Sequence, residues 1–270
     1  MANGLYKNII QRLPAALLLV GCIFVILYLQ NIFLILTILI AVGFLLIKEW
    51  FLLSESKIDL KQIIFFVTLT LFSIFFTKDF INFFLVFIAG FWVIYSFYLI
   101  SNKSSSLVSF DNNYLGGLLV LGFLYGFIYL LIFSEFYNVN KFFVLFIILF
   151  NTVLADVGAY LVGSSVGKTP LFPKISPNKT IEGLLGGVGF VLIFLSIIYF
   201  YDLISFDLVL VSLISLPFAF IGDYFESQLK RDKSLKDSGS LIPGHGGVWD
   251  RLDSHIAVVP IFILLNNLMA

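Results

Sequence analysis

Long apolar runs separated by short polar clusters constrain this chain more than any other feature. They fall near 13–29, 31–48, 62–77, 80–99, 114–134, 142–162, 184–201, 205–225 and 254–268. A helix needs about 20 predominantly apolar residues to cross a bilayer, so each run is a candidate span. The composition agrees: 60 % of residues are hydrophobic and 12 % are charged, against about 45–50 % and about 25 % in soluble domains. Nine spans would use nearly all the apolar residues, which leaves no separate soluble domain of any size. The expectation is an all-α, polytopic integral membrane protein with about nine transmembrane helices, residues 1–270 forming one membrane domain. Lys7 and Arg12 give the first run the start of a signal peptide. Leu29-Gln30-Asn31 offers no small-residue cleavage pattern, however, so the run reads as a retained span. The formal net charge is zero, which predicts no nucleic-acid partner. The single cysteine, Cys22, lies inside the first run; it excludes an intramolecular disulfide and argues against a thiolate metal site.

The basic residues choose an orientation. Of the 16 lysines and arginines, only Lys78 and Lys141 fall on one side of the predicted spans. The other fourteen, including Lys48, Lys61, Lys168, Lys179, Lys230, Arg231, Lys236 and Arg251, fall on the opposite side. By the positive-inside rule the N-terminus and the two long polar loops are expected in the cytoplasm, with the spans in the cell inner membrane.

Residues 1–150 supply N-terminal spans and little chemistry, and Glu49-Trp50 reads most simply as an interfacial anchor. Polar residues concentrate in two segments on the predicted cytoplasmic side, within the spans and loops of 151–255. In the later one, Asp223 and Glu226 are i,i+3 neighbours, and Lys230 follows Glu226 by four, so a continued helix puts all three on one face. Asp250 and Asp253 repeat the carboxylate spacing where the last span begins. Between the pairs, Pro243-Gly244-His245-Gly246-Gly247 is no stable helix, and its glycines allow backbone to approach a ligand closely. Two carboxylate pairs bracket a cluster of cations. A few hard oxygen ligands that leave room for substrate phosphates are how Mg²⁺ is usually held, and the cations would neutralise the remaining phosphate oxygens. A charge at span depth costs about 2.5–3.5 kcal/mol on insertion scales, which favours function over a solvated loop.

In the earlier segment Asp156 sits inside an apolar run, so a functional role competes with a hydrogen bond between helices. Ser176-Pro177 reads as a helix start, serine as the N-cap and proline first in the helix. Lys179 and Thr180 add donors there, which suits a phosphate, although an ordinary capped helix explains the same letters. Gly183 and Gly187 have the spacing of close helix packing. Gly163-Ser164-Ser165-Val166-Gly167-Lys168-Thr169 imitates a P-loop but is one residue short between its glycines and follows a span, not a strand.

Ser227-Gln228-Leu229-Lys230-Arg231, Lys236-Asp237 and His245-Gly246-Gly247-Val248-Trp249-Asp250-Arg251-Leu252-Asp253 resemble the 27-residue signature of phosphatidate cytidylyltransferases (CDP-diacylglycerol synthases) at every fixed position. Asp156 and Ser176-Pro177-Asn178-Lys179-Thr180-Ile181-Glu182-Gly183 also resemble that family, and Glu49-Trp50 does so less tightly. The resemblance covers roughly residues 150–255. It implies that CTP reacts with phosphatidic acid to give CDP-diacylglycerol and pyrophosphate, with Mg²⁺ required. It also implies Asp223 and Asp250 as metal ligands, in a centre that can hold a potassium ion as well.

On that footing the lipid phosphate attacks the α-phosphorus of CTP. Lys230, Arg231 and Lys236 are candidates for the triphosphate, and Ser176, Lys179, Thr180, Glu182, Gly246, Gly247 and Arg251 for substrate binding. Glu226, Asp253 and Asp156 are further candidates for the metal or its surroundings. His245 has two open readings, a donor to phosphate or a brace for the glycine turn. A CTP-dependent lipid kinase is the alternative enzyme and a transporter the alternative class. The sequence leaves the oligomeric state open, with a homodimer as one expectation.

Overall fold

The structure, a computed structural model, describes residues 21–54, 60–72, 77–101, 113–134, 136, 139–173, 175–241 and 246–269. Residues 21–29 are helical. The helices that follow are α1 (Ile32–Leu53), α2 (Leu60–Phe72), α3 (Lys78–Ser101), α4 (Asn113–Ile132) and α5 (Lys141–Val166). A short hairpin comes next, β1 (Pro170–Phe172) and β2 (Ser176–Thr180). Then come α6 (Ile181–Phe200), α7 (Phe206–Ser215), α8 (Pro217–Asp232) and α9 (Trp249–Met269). Among the described residues seven segments are long and apolar enough to cross a membrane: α1, α3, Tyr114–Ile132 of α4, α5, α6, α7 with α8 taken together, and α9. This is an all-α polytopic membrane protein with one hairpin attached. The count of nine is not reached among these residues, because the expected spans 13–29 and 62–77 lie partly outside them.

Two edges depart from the apolar runs. The run at 205–225 is two helices, since Pro217 has no N–H to continue α7 and opens α8 as its first residue. α8 then continues to Asp232, and α9 starts at Trp249, before the expected 254. Asp223, Glu226, Asp250 and Asp253 are therefore carried on helices, with a loop between the two pairs.

α4 is the centre, with 83 % of its span buried, and it packs against α1, α3 and α9. α5 and α6 pair closely because small residues meet there. A Cβ on Gly187 would lie 2.5 Å from the Ala155 carbonyl oxygen, and one on Gly158 would lie 2.9 Å from that of Gly186. The GxxxG spacing thus marks a real helix contact. α8 is locked differently. Its buried Phe225 stacks on Trp50 at 6.3 Å and meets Trp92 and Tyr95 edge-on at 5.4 and 5.1 Å. Such pairs each contribute roughly 0.5–1.5 kcal/mol beyond burial. Tyr95 also donates to buried Gln228 at 2.8 Å. With Phe225 and Gln228 committed to α1 and α3, the rotation of α8 is fixed, and the face bearing Asp223, Glu226 and Lys230 turns elsewhere.

Candidate active site

The C-terminal ends of α1, α5 and α8 and the N-terminal ends of α6 and α9 lie at one end of the molecule, together with the hairpin. A cavity of about 380 Å³ opens there. Its walls include Asp156 of α5, Ser176, Asn178, Lys179 and Thr180 of β2, and Asp223 and Tyr224 of α8. The two polar segments, separate in sequence, thus face one space.

Residues 176–180 are not a helix start. Ser176–Thr180 is a strand paired antiparallel with Pro170–Phe172, and α6 begins at Ile181 with Thr180 as its cap, the Thr180 hydroxyl accepting from Gly183 N at 3.1 Å. Pro177 fits because it is exposed in a two-stranded hairpin, where a missing N–H costs little. The strand carries Lys179 across to α8, where its ammonium pairs with the Asp223 carboxylate and sits 4.7 Å over the Tyr224 ring. Phe172 meets the same ring edge-on at 4.8 Å, so Tyr224 docks the hairpin. Glu182 lies outside the cavity lining; its carboxylate accepts from Lys168 N, Thr169 N and the Thr169 hydroxyl, clipping the chain that enters the hairpin.

On α8 and α9, ligand oxygens of Asp223, Glu226 and Asp253 lie within 4.8 Å of one another. Like charges this close repel by roughly 4 kcal/mol per pair at 4 Å and an effective dielectric near 20, and Asp156 adds its charge to the same field. Two lysines offset part of this. Lys179 holds Asp223, and Lys230 lies between Glu226 at 2.6 Å and Asp250 at 2.7 Å. Glu226 Oε1 is buried without a hydrogen-bond partner. A trio of hard oxygen donors with an orphaned carboxylate oxygen fits a divalent cation of the Mg²⁺ kind.

Asp250 is not one of that trio but lies against its member Glu226. Its Oδ1 takes Lys230, and its Oδ2 accepts from Ser238 N at 2.8 Å, the Ser238 hydroxyl at 2.9 Å and Gly247 N at 2.8 Å. Gly246, at φ +83°, is in the left-handed region that favours glycine, and a side chain there would strike Asp250. The glycines at 246 and 247 therefore wrap backbone around this carboxylate. Arg231, Lys236 and Arg251 are exposed and do not line the cavity. His245 lies outside the described residues.

Two partners escaped the sequence. Tyr224 directly follows Asp223, but nothing in its spacing identified it as the platform for Lys179. Glu49 and Trp50 are buried, not interfacial. Glu49 accepts from Val248 N at 2.9 Å, Trp249 N at 2.8 Å and the Ser238 hydroxyl at 3.1 Å. Its signals were a carboxylate near the end of an apolar run and the looser family resemblance of Glu49-Trp50; neither gave its partners.

Comparison with known proteins places these residues in a family context. The chain is 43 % identical over 118 residues to a Bacillus subtilis phosphatidate cytidylyltransferase, covering 43 % of this chain and 44 % of the relative. It is 48 % identical over 115 residues to the Staphylococcus aureus (strain COL) protein of that name, covering 42 % and 44 %. The Aquifex aeolicus protein of that name matches at 41 % over 121 residues, covering 45 % and 46 %. The chain thus spans less than half the length of the curated relatives it matches. The family model is broader, matching residues 10–269, and the chain belongs to the cytidylyltransferase family.

Proposed function

We propose that this protein transfers the cytidylyl group of CTP to phosphatidic acid, releasing pyrophosphate and forming CDP-diacylglycerol. The observation that carries this is the single cavity in which the lysine and hydroxyl donors of the hairpin face the carboxylates of α5 and α8. Phosphate-binding groups and cation-binding groups converge there, at the end of apolar helices where a lipid headgroup would lie. The family match and the names of the three relatives point the same way. The excess of basic residues puts this end in the cytoplasm, where CTP would reach it.

A phosphate oxygen of the lipid attacks the α-phosphorus of CTP, the new P–O bond forms, and the bond to the β-phosphate oxygen breaks. The attacking group is already ionised, so positioning and charge stabilisation matter more than a general base. Lys179, Ser176 and Thr180 orient phosphate from the hairpin side. Arg231, Lys236 and Arg251, exposed outside the cavity lining, attract the triphosphate. Asp223, Glu226 and Asp253 would hold Mg²⁺, with Asp156 beside them and Asp250 one lysine away. Bound there, the ion would neutralise phosphate oxygens and the charge developing on the leaving group.

The test is purified protein in detergent with phosphatidic acid, Mg²⁺ and CTP labelled at the α-phosphorus. Label in the extracted lipid with equimolar pyrophosphate is expected. Lipid labelled only from γ-labelled CTP would make the protein a kinase instead.

A further inference from the structure

Glu49 belongs to α1, far in sequence from the polar segments, yet it is only 5 % exposed and faces them. Among the described residues its partners are all neutral donors. Oε1 accepts from Val248 N, and Oε2 accepts from Trp249 N and the Ser238 hydroxyl. Removing a carboxylate from water without a cation is expensive. Here the compensation is the start of α9, whose first amides have no partner within the helix and carry the positive end of its dipole. Glu49 is a helix cap supplied from another helix. Gly247 and Gly239 both pass so close to it that a side chain on either would collide with its carboxylate.

The contact continues inward. The Ser238 hydroxyl reaches both Glu49 and Asp250, and Ser238 N and Gly247 N also donate to Asp250. Asp250 then holds Lys230, and Lys230 holds Glu226 of the carboxylate trio. Ser238 has one hydroxyl proton for two carboxylates, so the position of Asp250 depends on what Glu49 leaves to it.

We infer that Glu49 is a positioning residue: it clamps the Ser238 and Gly247–Trp249 backbone so that Asp250 and Lys230 are set for the nucleotide phosphates. The last clause rests on the function proposed above; the clamp itself does not. The substitution is Glu49→Gln, which keeps the shape but removes the charge and sets an amide N–H₂ against a donor. Hydrogen exchange by mass spectrometry on the full chain in detergent is expected to rise about tenfold or more at residues 246–252, the scale of a lost charge-assisted hydrogen bond. The core of α4 should keep its protection. Equilibrium binding of CTP should weaken by a similar factor, and Ser238→Ala should reproduce both effects more weakly.

Unchanged exchange at 246–252 in Glu49→Gln and Ser238→Ala would overturn the clamp. Exchange raised across all helices would also overturn it, since Glu49 would then be a fold residue only. Faster local exchange with unaltered CTP affinity would overturn the positioning role. A wild-type protein that binds CTP but never labels lipid would fault the proposed reaction and leave the exchange and binding results to decide on Glu49.

Discussion

Lys179→Met should make the protein bind a divalent cation more tightly while making it a worse enzyme. Without ligands, the Lys179 ammonium occupies Asp223, one of the three carboxylates that would hold the ion. A cation that takes Asp223 must displace it. The two side chains keep 33 % and 27 % exposure, so the ion pair is partly screened and contributes about 0.2–1 kcal/mol. The contact with the Tyr224 ring, 4.7 Å from the ammonium, contributes about 0.5–1 kcal/mol more. Losing both costs the incoming cation about 0.7–2 kcal/mol, roughly three- to thirtyfold in affinity. Methionine keeps an apolar stem to lie on Tyr224 and removes the competitor. The remaining carboxylate field also becomes more negative, which acts in the same direction.

The assay is titration of Mn²⁺ into protein in detergent, without nucleotide, followed by the electron paramagnetic resonance signal of the free ion. Lys179→Met should bind roughly three- to thirtyfold tighter than wild type, and lipid labelling should fall. With CTP present the advantage should shrink, because under the proposed function the wild-type lysine would then have phosphate to bind. Equal or weaker Mn²⁺ binding by the variant would refute the idea that lysine and metal share Asp223.

Asp223→Asn and Asp253→Asn should each weaken Mn²⁺ binding in that titration more than Asp250→Asn does; the reverse order would move the metal to Asp250. Lys230→Met removes the cation that bridges Glu226 and Asp250. It should cost about 3–5 kcal/mol in thermal or denaturant unfolding, and Lys230→Met with Glu226→Gln should recover much of that in a double-mutant cycle. Gly187→Val forces a side chain against the Ala155 carbonyl oxygen and should destabilise by about 1–3 kcal/mol. Gly189→Ala in the same helix meets nothing within 4 Å and should change unfolding by about 0.5 kcal/mol or less.

The sequence revealed what depends on local spacing. Apolar runs located the helices because a bilayer rewards length and composition, and the i,i+3,i+4 pattern put Asp223, Glu226 and Lys230 together, as the Glu226–Lys230 contact confirms. It misled where local rules compete. Ser176-Pro177 and Thr180 both qualify as helix starts, and pairing with Pro170–Phe172, a nonlocal contact, decides between them. Asp250 and Asp253 share the same spacing, yet three residues of helix leave about 60° between their directions. That is enough to send one into the glycine loop and the other toward α8. The partners of Glu49 were illegible for a simpler reason: the amides it accepts from are 199 and 200 residues away.

The two walls of the cavity are built by different means. Glycine contacts between α5 and α6 set the wall that carries Asp156 and the hairpin. Aromatic packing of α1, α3, α8 and α9 around Phe225 and Trp50 sets the wall that carries the carboxylate trio. Side-chain contacts that join them among the described residues include Lys179 with Asp223, Phe172 against Tyr224, and, deeper, the Thr152 hydroxyl with His255 Nε2 at 2.6 Å. Thr152 precedes Asp156 by one helical turn on α5, and His255 follows Asp253 by two residues on α9. This buried contact therefore fixes the base of the separation between Asp156 and Asp253. The other two contacts lie at the mouth and are the ones a ligand would meet. The base of the site is thus held by a buried hydrogen bond and its mouth by a partly exposed ion pair, so the mouth contacts are the weaker of the two and the ones an entering ligand would displace first.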